Sequence, residues 1–225
     1  MILLLVTIIP SLIILAYFIF SDKFREPVKS ILIVFLLGVA ITLPAGYLNS
    51  LAIENFSNAD PVNNALVVGF LAGGLVEELL KFSVLYFFVS KMQDFDEPMD
   101  GIVYGVTASL GFATLENFQY VYLQADYLNT TSMNIAILRA FSAVPLHGLN
   151  GCLMGFYFGM LYFTGDKKYL GYAIVLPVVF HGSYNFLIHF NFLFAMMIVI
   201  ILLIFSLKLH KILKEVQLEY RSKTG

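Results

Sequence analysis

Charged side chains are scarce in this 225-residue chain: they make up 12% of it, while 60% is hydrophobic, against about 25% charge in an average soluble domain. So little charge excludes a water-soluble globule. At about 20 apolar residues per membrane-crossing helix, the length accommodates about seven spans and leaves no soluble domain beside them. A basic excess is missing too, because 13 Lys and Arg face 15 Asp and Glu for a net charge of -2; nucleic acid is excluded as a partner. Tryptophan is absent, so 13 Tyr and 22 Phe supply all the aromatic surface. The single cysteine, Cys152, rules out an internal disulfide and a cysteine zinc cluster. Interdomain linkers, low-complexity tracts and repeats of 20 to 50 residues are lacking, so residues 1–225 read as one integral-membrane domain. Three hydrolase signatures are also absent: H-E-x-x-H for a helical zinc site, G-x-S-G for a serine nucleophile and G-x-G-D for an aspartyl pair.

What is present is an all-α, polytopic pattern. Seven apolar stretches lie at 1–20, 30–48, 65–90, 101–123, 135–163, 172–190 and 192–209. The first has no basic n-region and is followed by Lys23, Arg25 and Lys29, so it is expected to be a retained helix, not a cleavable signal. Lys91, Lys167, Lys168, Lys208, Lys211, Lys214, Arg221 and Lys223 continue the pattern in every second connection, and the loops 49–64 and 124–134 hold no lysine or arginine. The positive-inside rule then places the N-terminus outside and the C-terminus in the cytoplasm, with a basic cytoplasmic tail at about 208–225 lying near anionic lipid. Pro44, Pro145 and Pro177 interrupt spans, and Gly151, Gly155 and Gly159 share one helix face, suited to close packing within the bundle. His189 and His210 are expected at the membrane interface.

Against this background, ionisable groups inside spans demand a reason, since each costs roughly 2.5 to 3.5 kcal/mol if left unpaired. The third stretch carries Glu77, Glu78 and Lys81, spaced three and four apart so that the lysine can neutralise one carboxylate. The fourth adds Phe112, Glu116 and Asn117, the fifth His147 and Asn150, the sixth His181 with Asn185 one turn later. At 1.5 Å rise per residue, Glu77 and His147 lie roughly 18 Å below the outer end of their spans, His181 about 13 Å, Glu116 about 10 Å and Asn185 about 7 Å. One site opening outward accounts for such a shared layer. Carboxylates and imidazoles around a common cavity supply a general base, a general acid or metal ligands, and an adjacent amide donates to an oxyanion; this is the inventory of a hydrolase led by glutamate.

Several ordered motifs over most of the chain resemble the PrsW family of bacterial intramembrane proteases, related to the glutamic-type CAAX prenyl endopeptidases. They are Glu77-Glu78-x-x-Lys81, Phe95-Asp96-Glu97 before Asp100-Gly101-Ile102-Val103-Tyr104-Gly105, Ser109 through Asn117, His147 before Met154-Gly155-Phe156-Tyr157, and His181-Gly182-Ser183-Tyr184. The resemblance implies a multi-pass protein of the bacterial inner membrane that cuts a single-pass membrane protein, an anti-sigma factor or similar regulator, near its extracytoplasmic face. It also implies that Glu77 and a histidine activate water while an H-x-x-x-N motif, here His181 and Asn185, supplies oxyanion donors. Where the prenyl endopeptidases carry F-x-x-x-H, this chain has Phe112-x-x-x-Glu116, and His147 is the imidazole available instead.

The expected enzyme is a glutamic endopeptidase without a cofactor. Glu77 polarises water, Glu78 is held ionised by Lys81, Glu116 and His147 orient or share protons with the base, and Asn117 and Phe112 support the site. Two alternatives stay open at this point. In one, Glu77, Glu116, His147 and His181 hold a divalent metal such as zinc; in the other, the polar cluster of a non-catalytic scaffold or transporter binds a partner helix, ion or solute.

Overall fold

In the computed structural model, which describes residues 1–125 and 130–224 without the side chains of 216 and 218–224, the apolar runs become helices, and Pro44 and Pro177, expected to interrupt spans, lie inside continuous ones. The order is α1 (Ile2–Ser21), α2 (Val28–Phe56), α3 (Pro61–Leu66), a π-helical stretch (Val67–Val76), α4 (Glu77–Phe87), α5 (Pro98–Leu123), α6 (Ser132–Phe141), α7 (Ala143–Thr164), α8 (Lys168–Ile188) and α9 (Phe192–Thr224). Among the described residues, four stretches are long and apolar enough to cross a membrane: α1, α2, α8 and the part of α9 from Phe192 to Glu215. The more polar α4, α5 and α7 lie inside the bundle, and α5 is buried along nearly its whole first four turns. Residues 126–129 of the 124–134 connection, and the side chains of Arg221 and Lys223 in the basic tail, lie outside the described residues.

Glycine contacts set the spacing of the central helices. The carbonyl of Gly105 in α5 would lie 2.5 Å from a Cβ added at Gly151, and that of Gly101 2.0 Å from one at Gly155. The stripe Gly151, Gly155, Gly159 of α7 therefore meets Gly101, Gly105 and Pro98 of α5, and any side chain in that seam would push the backbones apart. Gly38 and Gly111 make the same kind of approach between α2 and α5.

Two expectations about boundaries are corrected. The stretch 135–163 is not one helix: it breaks at Ser142, whose φ is -127° and ψ -77°, separating α6 from α7. Pro145 lacks an N–H, and its ring collides with the carbonyl four residues earlier in an unbroken helix, here that of Phe141. Nor does the last helix stop at 209: α9 continues to Thr224, with Leu209, His210, Leu213 and Gln217 buried. His210, expected at the interface, is buried against Tyr17 and Phe18 and bonds Ser21 Oγ at 2.9 Å; His189 is exposed near the end of α8.

Candidate active site

The site is built around the junction of the π-helical stretch with α4. Gly69, Gly73 and Gly74 lie in that stretch, and π turns, with their wider ring, are frequent at functional sites. The absent side chains admit α8: a Cβ at Gly74 would lie 3.0 Å from the Val178 carbonyl, and one at Gly73 only 2.1 Å from Asn185 Nδ2. Gly73 thus leaves room for the Asn185 amide beside the start of α4. There the Glu77 N–H reaches back to the Ala72 carbonyl, and the next turn carries Glu78 and Lys81.

Glu77 and Glu78 are neighbours with different surroundings. Glu78 and Lys81 are fully buried, and Glu78 Oε1 accepts from Lys81 Nζ at 2.8 Å and bonds His181 Nδ1 at 2.7 Å. Glu77 Oε1 accepts from Asn49 Nδ2 at 2.9 Å, while its Oε2 has no hydrogen-bond partner and lies 3.8 Å from Lys81 Nζ and 4.0 Å from His181 Nε2. Only Glu77 of the two lines the adjoining cavity, of about 240 Å3, together with Glu116, Arg139, His147, His181 and Asn185. The cavity extends past Asn49, Ser50 and Ile53 of α2 and Gln119 and Gln124 after them, toward the connections that lack basic residues.

Glu116 has its own cation. Arg139, in the last turn of α6, donates from Nη2 to Glu116 Oε2 at 2.5 Å and from Nε to Asn117 Oδ1 at 2.9 Å, and its guanidinium lies 4.0 Å over the Tyr120 ring. Asn117 in turn donates to the Thr7 carbonyl of α1 at 2.7 Å. Histidine 147 bridges both carboxylate systems: Nδ1 is 2.9 Å from Lys81 Nζ and Nε2 is 3.0 Å from Glu116 Oε2. A lysine ammonium only donates, so Nδ1 accepts and the ring proton sits on Nε2, directed at Glu116. Phe112 lies under Lys81 Nζ at 4.4 Å and beside the His147 ring.

Every candidate residue singled out in the sequence except Asn150 belongs to this assembly. Asn150 is buried and donates to the Pro177 carbonyl at 3.0 Å, satisfying backbone within the bundle. Asn49 and Arg139 are functional candidates that sequence reasoning did not assign. Arg139 carried a signal, a lone cation in an apolar stretch; Asn49, at the end of a span, carried none.

A donor atom from each of Glu77, His147 and His181 lies within 4.8 Å of the other two. The set fits a divalent metal in two of its three members, since Glu77 Oε2 is unpartnered and His181, bonded to Glu78 through Nδ1, leaves Nε2 facing it; a carboxylate behind a ligating imidazole is a common metal-site support. His147 has both nitrogens engaged and joins only by releasing Glu116 or Lys81.

Comparison with known proteins gives the chain's family. Residues 26–208 match the family described as "PrsW family intramembrane metalloprotease". Protease PrsW of Geobacillus kaustophilus is 40% identical over 182 residues, covering 80% of this chain and 76% of that protein. Protease PrsW of Bacillus subtilis is 39% identical over 186 residues, covering 80% of each, and that of Clostridioides difficile 31% identical over 211 residues, covering 92% and 87%. No solved structure matches the chain. By its matched length, and by its likeness to these relatives, the chain belongs to the PrsW family of intramembrane proteases.

Proposed function

We propose that the chain is a multi-pass endopeptidase of the bacterial inner membrane, with about seven crossings and a cytoplasmic C-terminus, that cuts a single-pass membrane protein near its extracytoplasmic face using water activated by Glu77. The observation that carries this reading is the unequal pairing of three carboxylates, Glu77 and Glu78 buried and Glu116 half-buried. Lys81 holds Glu78 and Arg139 holds Glu116, whereas Glu77 faces the cavity with one oxygen fixed by Asn49 and the other unpartnered. A base needs a lone pair aimed at water and a fixed orientation; Glu77 combines the two and, unlike Glu78 and Glu116, has no cation within hydrogen-bond distance.

The steps follow from the donors. Glu77 Oε2 takes a proton from a cavity water as its oxygen attacks the scissile carbonyl. The developing oxyanion is met by the Asn185 amide and by Nε2–H of His181 in its doubly protonated form, with Glu78 balancing that charge from Nδ1; one such donor is worth about 2.7 to 4 kcal/mol in the barrier. Glu77 then hands that proton to the leaving amine, while His147 and Glu116 orient the site around the base, and Arg139 and Lys81 keep the layer close to neutral. The substrate class, an anti-sigma factor or similar membrane-anchored regulator, rests on the family resemblance and on a cavity directed toward the connections without basic residues.

The free pairing of Glu77 Oε2 with His181 Nε2 also favours a second reading, in which these two, joined by Glu116 or His147, hold a divalent ion such as zinc. Bound there, the ion would act as a Lewis acid and lower the pKa of its water.

Cleavage of a single-pass substrate by purified protein tests the proposal. Glu77→Gln abolishes cleavage while the protein stays folded; near-normal turnover by that variant removes Glu77 from the chemistry, and with it the enzyme reading if no other site variant fails. Asn185→Asp separates the two mechanisms. It puts a negative charge beside the oxyanion and slows metal-free hydrolysis strongly, with chelators inert on the wild type. A metal site tolerates the new carboxylate, and chelation inhibits reversibly.

A further inference from the structure

A second buried polar cluster lies at the other end of α5. Asp22 and Glu26 come from the α1–α2 connection and Asp100 from the first turn of α5; all three are buried, and one carboxylate oxygen from each lies within 4.8 Å of the others. Sixteen residues, ~24 Å of helix rise, separate Asp100 from Glu116, so this is not a wing of the catalytic cavity. Among the described residues, no lysine or arginine pairs with Asp22, Glu26 or Asp100, and the nearby Lys23, Arg25 and Lys29 are exposed. The contrast with the catalytic layer, where Lys81 and Arg139 are supplied from within the fold, is direct.

Each carboxylate is oriented by one oxygen. Asp100 Oδ2 accepts from the N–H groups of Asp96 at 2.9 Å and Glu97 at 2.8 Å, closing a capping box at the start of α5. Asp22 Oδ1 accepts from Phe24 N–H at 3.0 Å and from Gln217 Nε2 at 2.6 Å, and Glu26 Oε2 accepts from the Tyr104 hydroxyl. The other oxygens of Asp22 and Asp100, Oδ2 and Oδ1, are buried without any hydrogen-bond partner, and the Asp100 side chain faces Glu26. Leaving two such atoms unmet is costly. Burial, with the charges of Asp22 and Asp94 nearby, also holds the Glu26 carboxyl above the usual carboxylate range despite the Tyr104 bond.

We propose that Asp22, Glu26 and Asp100 form a structural binding site for one hard divalent cation of the Mg2+, Ca2+ or Mn2+ class. Three carboxylates with no imidazole or thiolate select such ions over zinc or copper. The orphaned oxygens of Asp22 and Asp100 are then ligands, and the α1–α2 connection is fastened to the start of α5. Gln217, which bonds both Asp22 and Glu97, fastens α9 to the same point. The ion sets the position of α5, on which Glu116 and Asn117 are carried, without touching substrate.

The test uses the full chain carrying Glu77→Gln, purified in lipid nanodiscs and stripped with a chelator, so that the catalytic layer is disabled. Mn2+ binding is followed by its paramagnetic resonance signal, and Ca2+ and Mg2+ by competition and by thermal unfolding. One Mn2+ per chain is expected, displaced by at least one of the other two ions, with a melting temperature that rises with ion concentration. Adding Asp100→Asn or, separately, Asp22→Asn weakens binding by about tenfold or more and removes the ion-dependent rise. In the stripped protein Asp100→Asn raises the melting temperature, because it removes like-charge repulsion. No saturable Mn2+ binding in the Glu77→Gln chain overturns the proposal even if neither Asn variant folds. Binding unchanged by both Asn variants overturns it as well. So does a stripped chain that gains nothing from any ion and is destabilised by Asp100→Asn, the signature of a proton shared between two carboxyls.

Discussion

The two ends of α5 are both crowded with buried carboxylates, and the fold treats them differently. At the Glu116 end, Glu78 and Glu116 each contact a cation from another position, Lys81 at 2.8 Å and Arg139 at 2.5 Å, and Glu77 is left over beside a cavity. At the Asp100 end, Asp22, Glu26 and Asp100 converge on one another and no lysine or arginine among the described residues pairs with them. Buried charge is tolerated when it is paired. Where the fold brings a cation to the layer, an excess carboxylate is free for chemistry; where the described residues bring none, a proton or a cation from solution can take that place.

The largest effect is expected at Glu77, the carboxylate of the catalytic layer that no cation bonds directly. Glu77→Gln lowers turnover by about 10⁴-fold, as loss of a general base does, with little change in the melting temperature because shape and volume are kept. A melting temperature that falls as far as the activity does would put Glu77 among the structural groups.

Removing a cation from the layer should act on the fold instead. Lys81→Met leaves Glu78 buried with only His181 and costs about 3 to 5 kcal/mol of stability, read as a fall in the midpoint of thermal or denaturant unfolding. Pairing it with Glu78→Gln recovers most of that loss; if the double variant is no more stable than the single, Lys81 contributes by packing against Phe112 and not by its charge.

Asn185→Ala, measured by kcat on a cleaved substrate, is expected to cost about 10²- to 10³-fold, the range for one oxyanion donor. Gly73→Ala should act in the same direction through geometry, because its Cβ would fall 2.1 Å from Asn185 Nδ2 and must displace the amide. An alanine there with unchanged kcat would remove Asn185 from the site.

Gly151→Ala should give the smallest change in chemistry. Its Cβ meets the Gly105 carbonyl at 2.5 Å, so overpacking costs about 1 to 3 kcal/mol across the α5–α7 seam while kcat of the folded fraction holds. A large kcat loss without destabilisation would mean that the seam tunes the catalytic layer directly.

The amino-acid sequence by itself determined the class of molecule, because charge this sparse and apolar runs this long have no soluble solution. It also supplied the candidate residues apart from Asn49 and Arg139, and one of their pairings: Glu78 and Lys81 are three apart, and helical periodicity brings such residues together whatever the rest of the chain does. It pointed to Glu77 as well, through the resemblance of its motif. Only the tertiary structure decided which side chains surround that glutamate, since Asn49 meets Glu77 through the packing of α2 on the π-helical stretch, and Arg139 meets Glu116 because Pro145 breaks a helix and turns α6 inward. Asp22 and Asp100, 78 residues apart, likewise converge through packing, and α9 reaches Asp22 with Gln217 from a segment that reads as a basic cytoplasmic tail. Spacing along one helix is local and legible, whereas meetings between helices depend on how closely glycine seams let the backbones approach, and that distance is set by the whole bundle at once.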